Sequence, residues 1–300
     1  MARARSIGLI AGQGALPALA SALLMQSDVP FAVFGFEGMD AALDVPSENR
    51  LPLGALDALR SRFRAEEVDQ VLIVGRFDLA WLAPAGGAVE PDSTRRVVPD
   101  ATRPGRSEPS PVQPDAEALA LLSRLDRLDG VTLMSAIADW LTAQGLELLA
   151  QDSVLAPMMM GRGVISQRAP STGEFDSVAP ALAVLAHPKD GSLAQSVAVL
   201  DGKVVRLEDG AGTDAMIARA GEAGAGPGLT IVKAARPGQD RRLDLPAVGV
   251  ETIKAMQAAG ATALALEAGS VLVLDYEALR AAADRAEIAV WGFERERVEG

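Results

Sequence analysis

Ser6-Ile7-Gly8-Leu9-Ile10-Ala11-Gly12-Gln13-Gly14, followed by the Ala/Leu-rich stretch from about Leu16 to Met25, decides the fold. A short apolar run ending at two closely spaced glycines predicts a buried strand that turns sharply into a helix. Met1-Ala-Arg-Ala-Arg5 ahead of it gives the outline of a signal peptide. Gly12, Gly14 and Pro17 interrupt the apolar stretch too soon for that reading, and strand-into-helix explains the same letters better. Two further units follow. Phe31–Phe34 predicts a strand, about Ala55 to Arg64 a helix, and Val71–Val74, ending at Gly75, a third buried strand. Strands alternating with helices imply a parallel, Rossmann-like sheet, whose ligands sit at the carboxyl ends of the strands, here near Gly12–Gly14 and Gly75.

Composition supports an α/β protein. Hydrophobic residues make up 49% of 300 residues while aromatics are only 4%, a balance that suits buried strands of Val, Ile and Leu. A net charge of −12 argues against nonspecific nucleic-acid binding, so an anionic ligand needs a local cationic patch. With no cysteine, thiolate metal sites, disulfides and a Cys nucleophile are excluded. One histidine, His187 before Pro188, excludes a multi-histidine metal site; it reads as a structural or surface residue, with a general base as the alternative. Any metal must then be held by oxygen, which points to Mg²⁺ or Mn²⁺. No apolar run reaches the roughly 18 residues that span a bilayer, so a soluble, intracellular protein is expected.

Two domains are expected, the first over residues 1–153. Within it, 83–114 is Pro-, Gly-, Ser- and Arg-rich and reads as an irregular loop. Helices follow at about 115–127 and 133–143, then a strand at 146–150. Residues 154–172, with Met158–Met160 and several glycines, read as a linker; the methionines suit a cavity wall or ordinary core filling. The second domain, 173–300, restarts the pattern with a helix near 174–186. Gln195–Leu200 and Lys203–Leu207 joined by Asp201-Gly202 predict a β-hairpin, hence a mixed sheet. A helix over 214–223 with Thr213 as its N-cap comes next, then a strand at 229–233 and a helix at 251–259. Strands at 263–266 and 271–274, a helix at 276–286 and a strand at 288–291 complete the series.

Polar groups gather in three segments. Lys233-Ala-Ala-Arg236-Pro-Gly-Gln239-Asp240-Arg241-Arg242-Leu-Asp244 carries four cations, two carboxylates and an amide directly after an apolar strand. In an acidic chain that suits phosphate oxygens, with Asp244 placed to hold Mg²⁺ or an attacking water; a solvated loop of surface ion pairs fits the same letters. Glu208-Asp-Gly-Ala-Gly-Thr213-Asp214 offers a helix start for a phosphate, two carboxylates (Glu208 and Asp214) for a metal, or a plain capped helix. Glu267-Ala-Gly269 fits a tight turn between strands. Gly12-Gln13-Gly14 lacks the third glycine of a dinucleotide fingerprint and fits a nucleotide phosphate or a tight turn.

Several of these strings taken together resemble the UDP-2,3-diacylglucosamine diphosphatase family of the LpxI type. They are I-G-L-I-A-G-Q-G-A-L-P (7–17), D-G-K-V-V (201–205), G-T-D-A-M-I (212–217), V-K-A-A-R-P-G-Q-D-R-R-L-D-L-P-A-V-G (232–249) and E-A-G-S-V-L-V-L-D (267–275). The resemblance implies a Rossmann-like N-terminal domain, a distinct C-terminal domain, and cytoplasmic hydrolysis of a lipid-linked nucleotide sugar in lipid A biosynthesis. The implied products are UMP and 2,3-diacylglucosamine 1-phosphate, and Mg²⁺ assists. It places catalytic dependence on Asp244 and matches Lys233, Gln239, Arg242, Thr213, Asp214 and Glu267 to the surrounding motifs. A lipid substrate implies transient contact with the inner-membrane surface; homodimerisation stays open.

The resemblance gives the role of Asp244, and the chemistry of the neighbouring residues gives the other expected roles. Asp244, Lys233 and Arg242 are the catalytic set, and Asp244, Asp214 and Glu208 the metal ligands. Gly12, Gln13, Gly14, Thr213, Arg236, Gln239 and Glu267 contact substrate. The family's E-G-T-D reads Ala211-Gly-Thr-Asp214 here, and its G-x-V-x-R-P reads Gly75-Arg-Phe-Asp-Leu-Ala80. These departures motivate two alternatives: a noncatalytic paralogue binding a nucleotide sugar or lipid phosphate, or a hydrolase of another nucleotide-linked substrate.

Overall fold

The computed structural model describes residues 5–77, 114–126, 130–187 and 194–295. The irregular loop expected over 83–114 lies outside these residues except for Pro114. The chain divides into two compact units, Met1–Val154 and Leu155–Gly300.

The first unit runs β1 (Ile7–Ala11), α1 (Leu16–Met25), β2 (Phe31–Phe36), β3 (Arg50–Leu51), α2 (Leu56–Ala65), β4 (Gln70–Val74), α3 (Ala116–Leu122), α4 (Gly130–Ala143), β5 (Glu147–Leu148) and α5 (Gln151–Leu155). Its five strands are all parallel, in the order β3-β2-β1-β4-β5. The opening strand is therefore central. Every residue of β1 is buried, which is why it reads as an unbroken apolar run rather than an alternating one.

The second unit adds β6 (Gly163–Val164), α6 (Thr172–Asp176), α7 (Val178–Ala186), β7 (Ser196–Leu200), β8 (Lys203–Leu207), α8 (Thr213–Glu222), β9 (Thr230–Lys233), β10 (Ala247–Val248), α9 (Val250–Ala259), β11 (Ala263–Glu267), β12 (Leu272–Val273), α10 (Tyr276–Arg285) and β13 (Ala289–Phe293). Its main sheet has the order β6-β13-β11-β9-β7-β8. Strands β9, β11 and β13 are mutually parallel, while β6 and β7 join that core antiparallel and β8 continues from β7. The sheet is mixed, as the hairpin implied. Asp201 and Gly202 both take positive φ, the geometry of the tight turn that Asp-Gly favours.

Alternation along β11 separates two cores. Leu264 and Leu266 pack with Met216, Ile217, Ile253, Met256 and Leu279 of α8, α9 and α10. Ala263 and Ala265 face the opposite side with Val178, Leu182 and Leu185 of α7. Each fully buried Leu or Ile contributes roughly 1.5–3 kcal/mol by leaving water.

Of the segment read as a linker, residues 155–172 belong to the second unit. Met160 is 1% exposed, its N–H donates to the carbonyl of Val271 at 2.7 Å, and Gly163–Val164 pairs with β13. Strand 271–274 shortens to β12, which pairs with β10 apart from the main sheet and is bridged at Leu272 by Met159. Helix 174–186 is divided in two at Ser177. Its opening turn is closed by a capping box between Ser171 and Glu174. Glu174 is buried and also takes both guanidinium nitrogens of Arg168, at 2.8 and 3.0 Å, and the hydroxyl of Thr262 at 2.6 Å. Burial alone would raise its pKa; hydrogen bonds from Arg168, Thr262 and Ser171 outweigh that and hold it at about 2.

Candidate active site

The site grows from the end of β9. Lys233 closes an entirely buried strand and sits opposite Ser196 of β7 in an antiparallel pair, which buries its ammonium. Nζ donates to Ser196 Oγ at 2.9 Å and to Thr213 Oγ1 at 2.7 Å, and lies 4.0 Å from Glu208 Oε1. Thr213 in turn donates to Glu208 Oε1 at 2.6 Å. Burial pulls the Lys233 pKa below its usual value, and the carboxylates of Glu208, Asp244 and Asp214 oppose that shift.

Beyond Lys233 the chain is held by backbone bonds. Ala234 N–H donates to Gln195 O at 2.9 Å, and Ala235 N–H donates to Glu267 Oε2 at 2.8 Å. Gly238 takes a left-handed φ of 71°, so the chain turns back and Gln239 Oε1 accepts from Arg236 N–H at 2.9 Å. The result centres on Asp244. Its Oδ2 accepts from Gln239 Nε2 at 2.8 Å and from Gln195 Nε2 at 2.5 Å, with the Arg236 guanidinium 3.6 Å away. Half of the Asp244 side chain is exposed, while Arg236 is largely buried and its Nε has no hydrogen-bond partner among the described residues.

Several expected roles change. Thr213 is not a helix cap: Gly212, with φ of 89°, occupies that position, and the threonine hydroxyl is committed to Lys233 and Glu208. Glu267 braces the site, its buried carboxylate accepting from Ala235 N–H and from the Arg295 guanidinium. Gln239 spends both ends of its amide on Asp244 and Arg236 N–H. Arg242 forks onto Asp240 at 2.7 and 2.9 Å instead of joining Asp244.

The expected metal trio is not assembled. Among the described residues no three acidic or histidine side chains converge as metal ligands. Glu208 accepts from the Thr213 hydroxyl and from Gln195 N–H at 2.8 Å, with the Lys233 ammonium 4.0 Å away, and Asp214 takes the Thr252 hydroxyl at 3.3 Å. His187 is exposed at the end of α7.

In the first unit the N–H groups of the Gly12–Gly14 turn are all taken within the protein. Gly12, Gln13 and Gly14 N–H groups donate to the carbonyls of Val74, Arg76 and Asp40 at 2.8, 2.8 and 3.1 Å. A Cβ on Gly12 would stand 2.9 Å from the backbone of Gly75 and Arg76, so the glycine serves close passage of two chain segments. Two recesses occur nearby: one of about 300 Å³ lined by Phe36, Asp40, Val45 and Arg50, and an apolar one of about 80 Å³ lined by Ile10, Phe36, Leu59, Ile73, Leu133 and Ile137. Both belong to the first unit, whereas Asp244 belongs to the second.

Sequence reasoning missed Gln195, Ser196 and Arg295. Ser196 carried a faint signal, a polar residue inside an apolar strand; the other two carried none, because their partners are distant in the chain.

These features define a two-unit α/β protein whose second unit holds a fixed carboxylate beside an arginine in the loop that follows an interior strand of a mixed sheet. Residues 6–96 match the family model of the LpxI N-terminal domain, and 161–291 that of the LpxI C-terminal domain. The chain belongs to the LpxI family. It is 29% identical to UDP-2,3-diacylglucosamine pyrophosphatase LpxI of Caulobacter vibrioides, over 96% of this chain and 97% of that protein. No helix among the described residues is long and apolar enough to cross a membrane.

Proposed function

We propose that this protein hydrolyses the diphosphate of UDP-2,3-diacylglucosamine to UMP and 2,3-diacylglucosamine 1-phosphate, a step in lipid A biosynthesis. The carrying observation is the Asp244–Arg236 arrangement: a half-exposed carboxylate with one oxygen held, 3.6 Å from a guanidinium whose Nε is unpartnered. In the reaction, water oxygen bonds to one phosphorus and the bridging P–O bond breaks, its electron pair leaving with the departing phosphate. Asp244, through Oδ1, orients the water by accepting a hydrogen bond from it, and takes its proton as the new P–O bond forms, releasing it afterwards to solvent. Arg236 meets phosphate oxygens and stabilises charge as it develops there. Lys233 stays beneath the surface and contributes through the groups it holds.

Mg²⁺, or Mn²⁺, fits the donor set in a limited sense. Asp244 would hold it together with phosphate oxygens of the substrate, the manner in which Mg²⁺ is bound where no protein cage exists. Bound so, it would neutralise charge on the diphosphate. The substrate's acyl chains imply transient contact with the cytoplasmic face of the inner membrane.

The test is direct. Purified protein with UDP-2,3-diacylglucosamine and Mg²⁺ should release UMP, and Asp244→Ala should abolish the release without unfolding the protein. Tight binding with no turnover would sink the hydrolase reading.

A further inference from the structure

We propose that Gln195 is a positioning residue for Asp244, an inference that rests on the diphosphatase reading above. Gln195 lies just before β7 with its backbone pinned on both sides. Its N–H donates to Glu208 Oε2 at 2.8 Å, and its carbonyl accepts from Ala234 N–H at 2.9 Å. From that fixed base its side-chain Nε2 reaches Asp244 Oδ2 at 2.5 Å, 49 positions along the chain.

Gln239 donates to the same oxygen at 2.8 Å, and its amide cannot flip freely because Oε1 accepts from Arg236 N–H. Asp244 is half exposed, so packing does not fix its carboxylate. Two amide donors on Oδ2 do. They set the plane of the group and leave Oδ1 as the oxygen offered to water or metal, in the way outer partners orient a reacting or ligating group.

The arrangement also gives the buried cation a purpose. Lys233 and Thr213 hold Glu208, Glu208 holds the backbone of Gln195, and Gln195 holds Asp244. A charge that never reaches the surface thereby acts on one that does.

Gln195→Met keeps the length of the side chain and removes its donor, while Gln195→Glu keeps its shape and sets a like charge against Asp244. Each should lower kcat for UMP release by about 10–100-fold, since a misplaced reacting group loses rate on that order. KM should stay within about twofold, because Gln195 touches Asp244 and not the substrate. Thermal unfolding should be unchanged, and the side-chain amide resonance of Gln195 should move on Asp244→Ala. If the parent is active, Asp244→Ala is dead and Gln195→Met keeps kcat within twofold, the positioning role is overturned and the diphosphatase reading survives. A parent that releases no UMP, or an active Asp244→Ala protein, overturns both. Should Gln195→Met melt early, Gln195→Glu and the amide resonance decide, and a resonance unmoved by Asp244→Ala overturns the contact itself.

Discussion

The Lys233 ammonium donates to the Thr213 hydroxyl across 2.7 Å, and that hydroxyl donates on to Glu208 across 2.6 Å. Thr213 thus mediates between a buried cation and a carboxylate. Thr213→Val keeps the shape but removes both bonds and the 3.0 Å contact with Ser196 Oγ, leaving Lys233 with one fewer acceptor. Unfolding in urea should show a loss of about 1–3 kcal/mol, the usual consequence of stranding a buried polar group, while Thr213→Ser should stay within about 0.5 kcal/mol. A Val variant as stable as the parent would mean the hydroxyl does not support Lys233.

Gly12 separates packing from ligand binding. Its hydrogen would become a methyl 2.9 Å from the Gly75 and Arg76 backbone, where neither neighbour is a movable side chain. Gly12→Ala should destabilise the first unit by about 1–3 kcal/mol, as overpacking does. Normal stability with a raised KM would instead restore the glycine to a substrate-binding role.

Metal removal should affect turnover and not folding. Because no cluster of acidic side chains is assembled among the described residues, stripping divalent ions with EDTA should leave the melting temperature of the free protein within about a degree, while UMP release ceases and returns with Mg²⁺. A large stabilisation of the free protein by millimolar Mg²⁺ would reveal a protein-built site and contradict this account.

Glu174 should set an acid limit to stability. Its folded pKa of about 2 lies below its ordinary value of 4.5, so its contribution is fully present above pH 4.5 and is lost as pH falls toward 2. Glu174→Gln should therefore lose about 3 kcal/mol at pH 7, by the linkage of roughly 1.4 kcal/mol per pKa unit. The gap between variant and parent should narrow as the pH is lowered. A difference independent of pH would assign the loss to packing rather than to the charge held by Arg168.

Local signals determined much of this protein. The buried run Ile7–Ala11, the Asp-Gly hairpin at 201–202 and the periodic helices announce themselves through neighbours, since period and turn chemistry are properties of adjacent residues. The string around Asp244 likewise carried enough specific residues to indicate phosphate chemistry and the family. What escaped reading were two-residue strands such as β6 and β10, too short to show a period, and every role set by a partner far along the chain. Thr213 looked like a cap and became a link to Lys233; Glu267 looked like a turn residue and became a brace for Ala235 and Arg295. Gln195 gave no sign at all. Hydrogen-bond partners so far apart along the chain are brought together only by the tertiary fold, here by β7 pairing with β9 and by the packing of the loops beyond them, and that decided which polar groups hold the others in place.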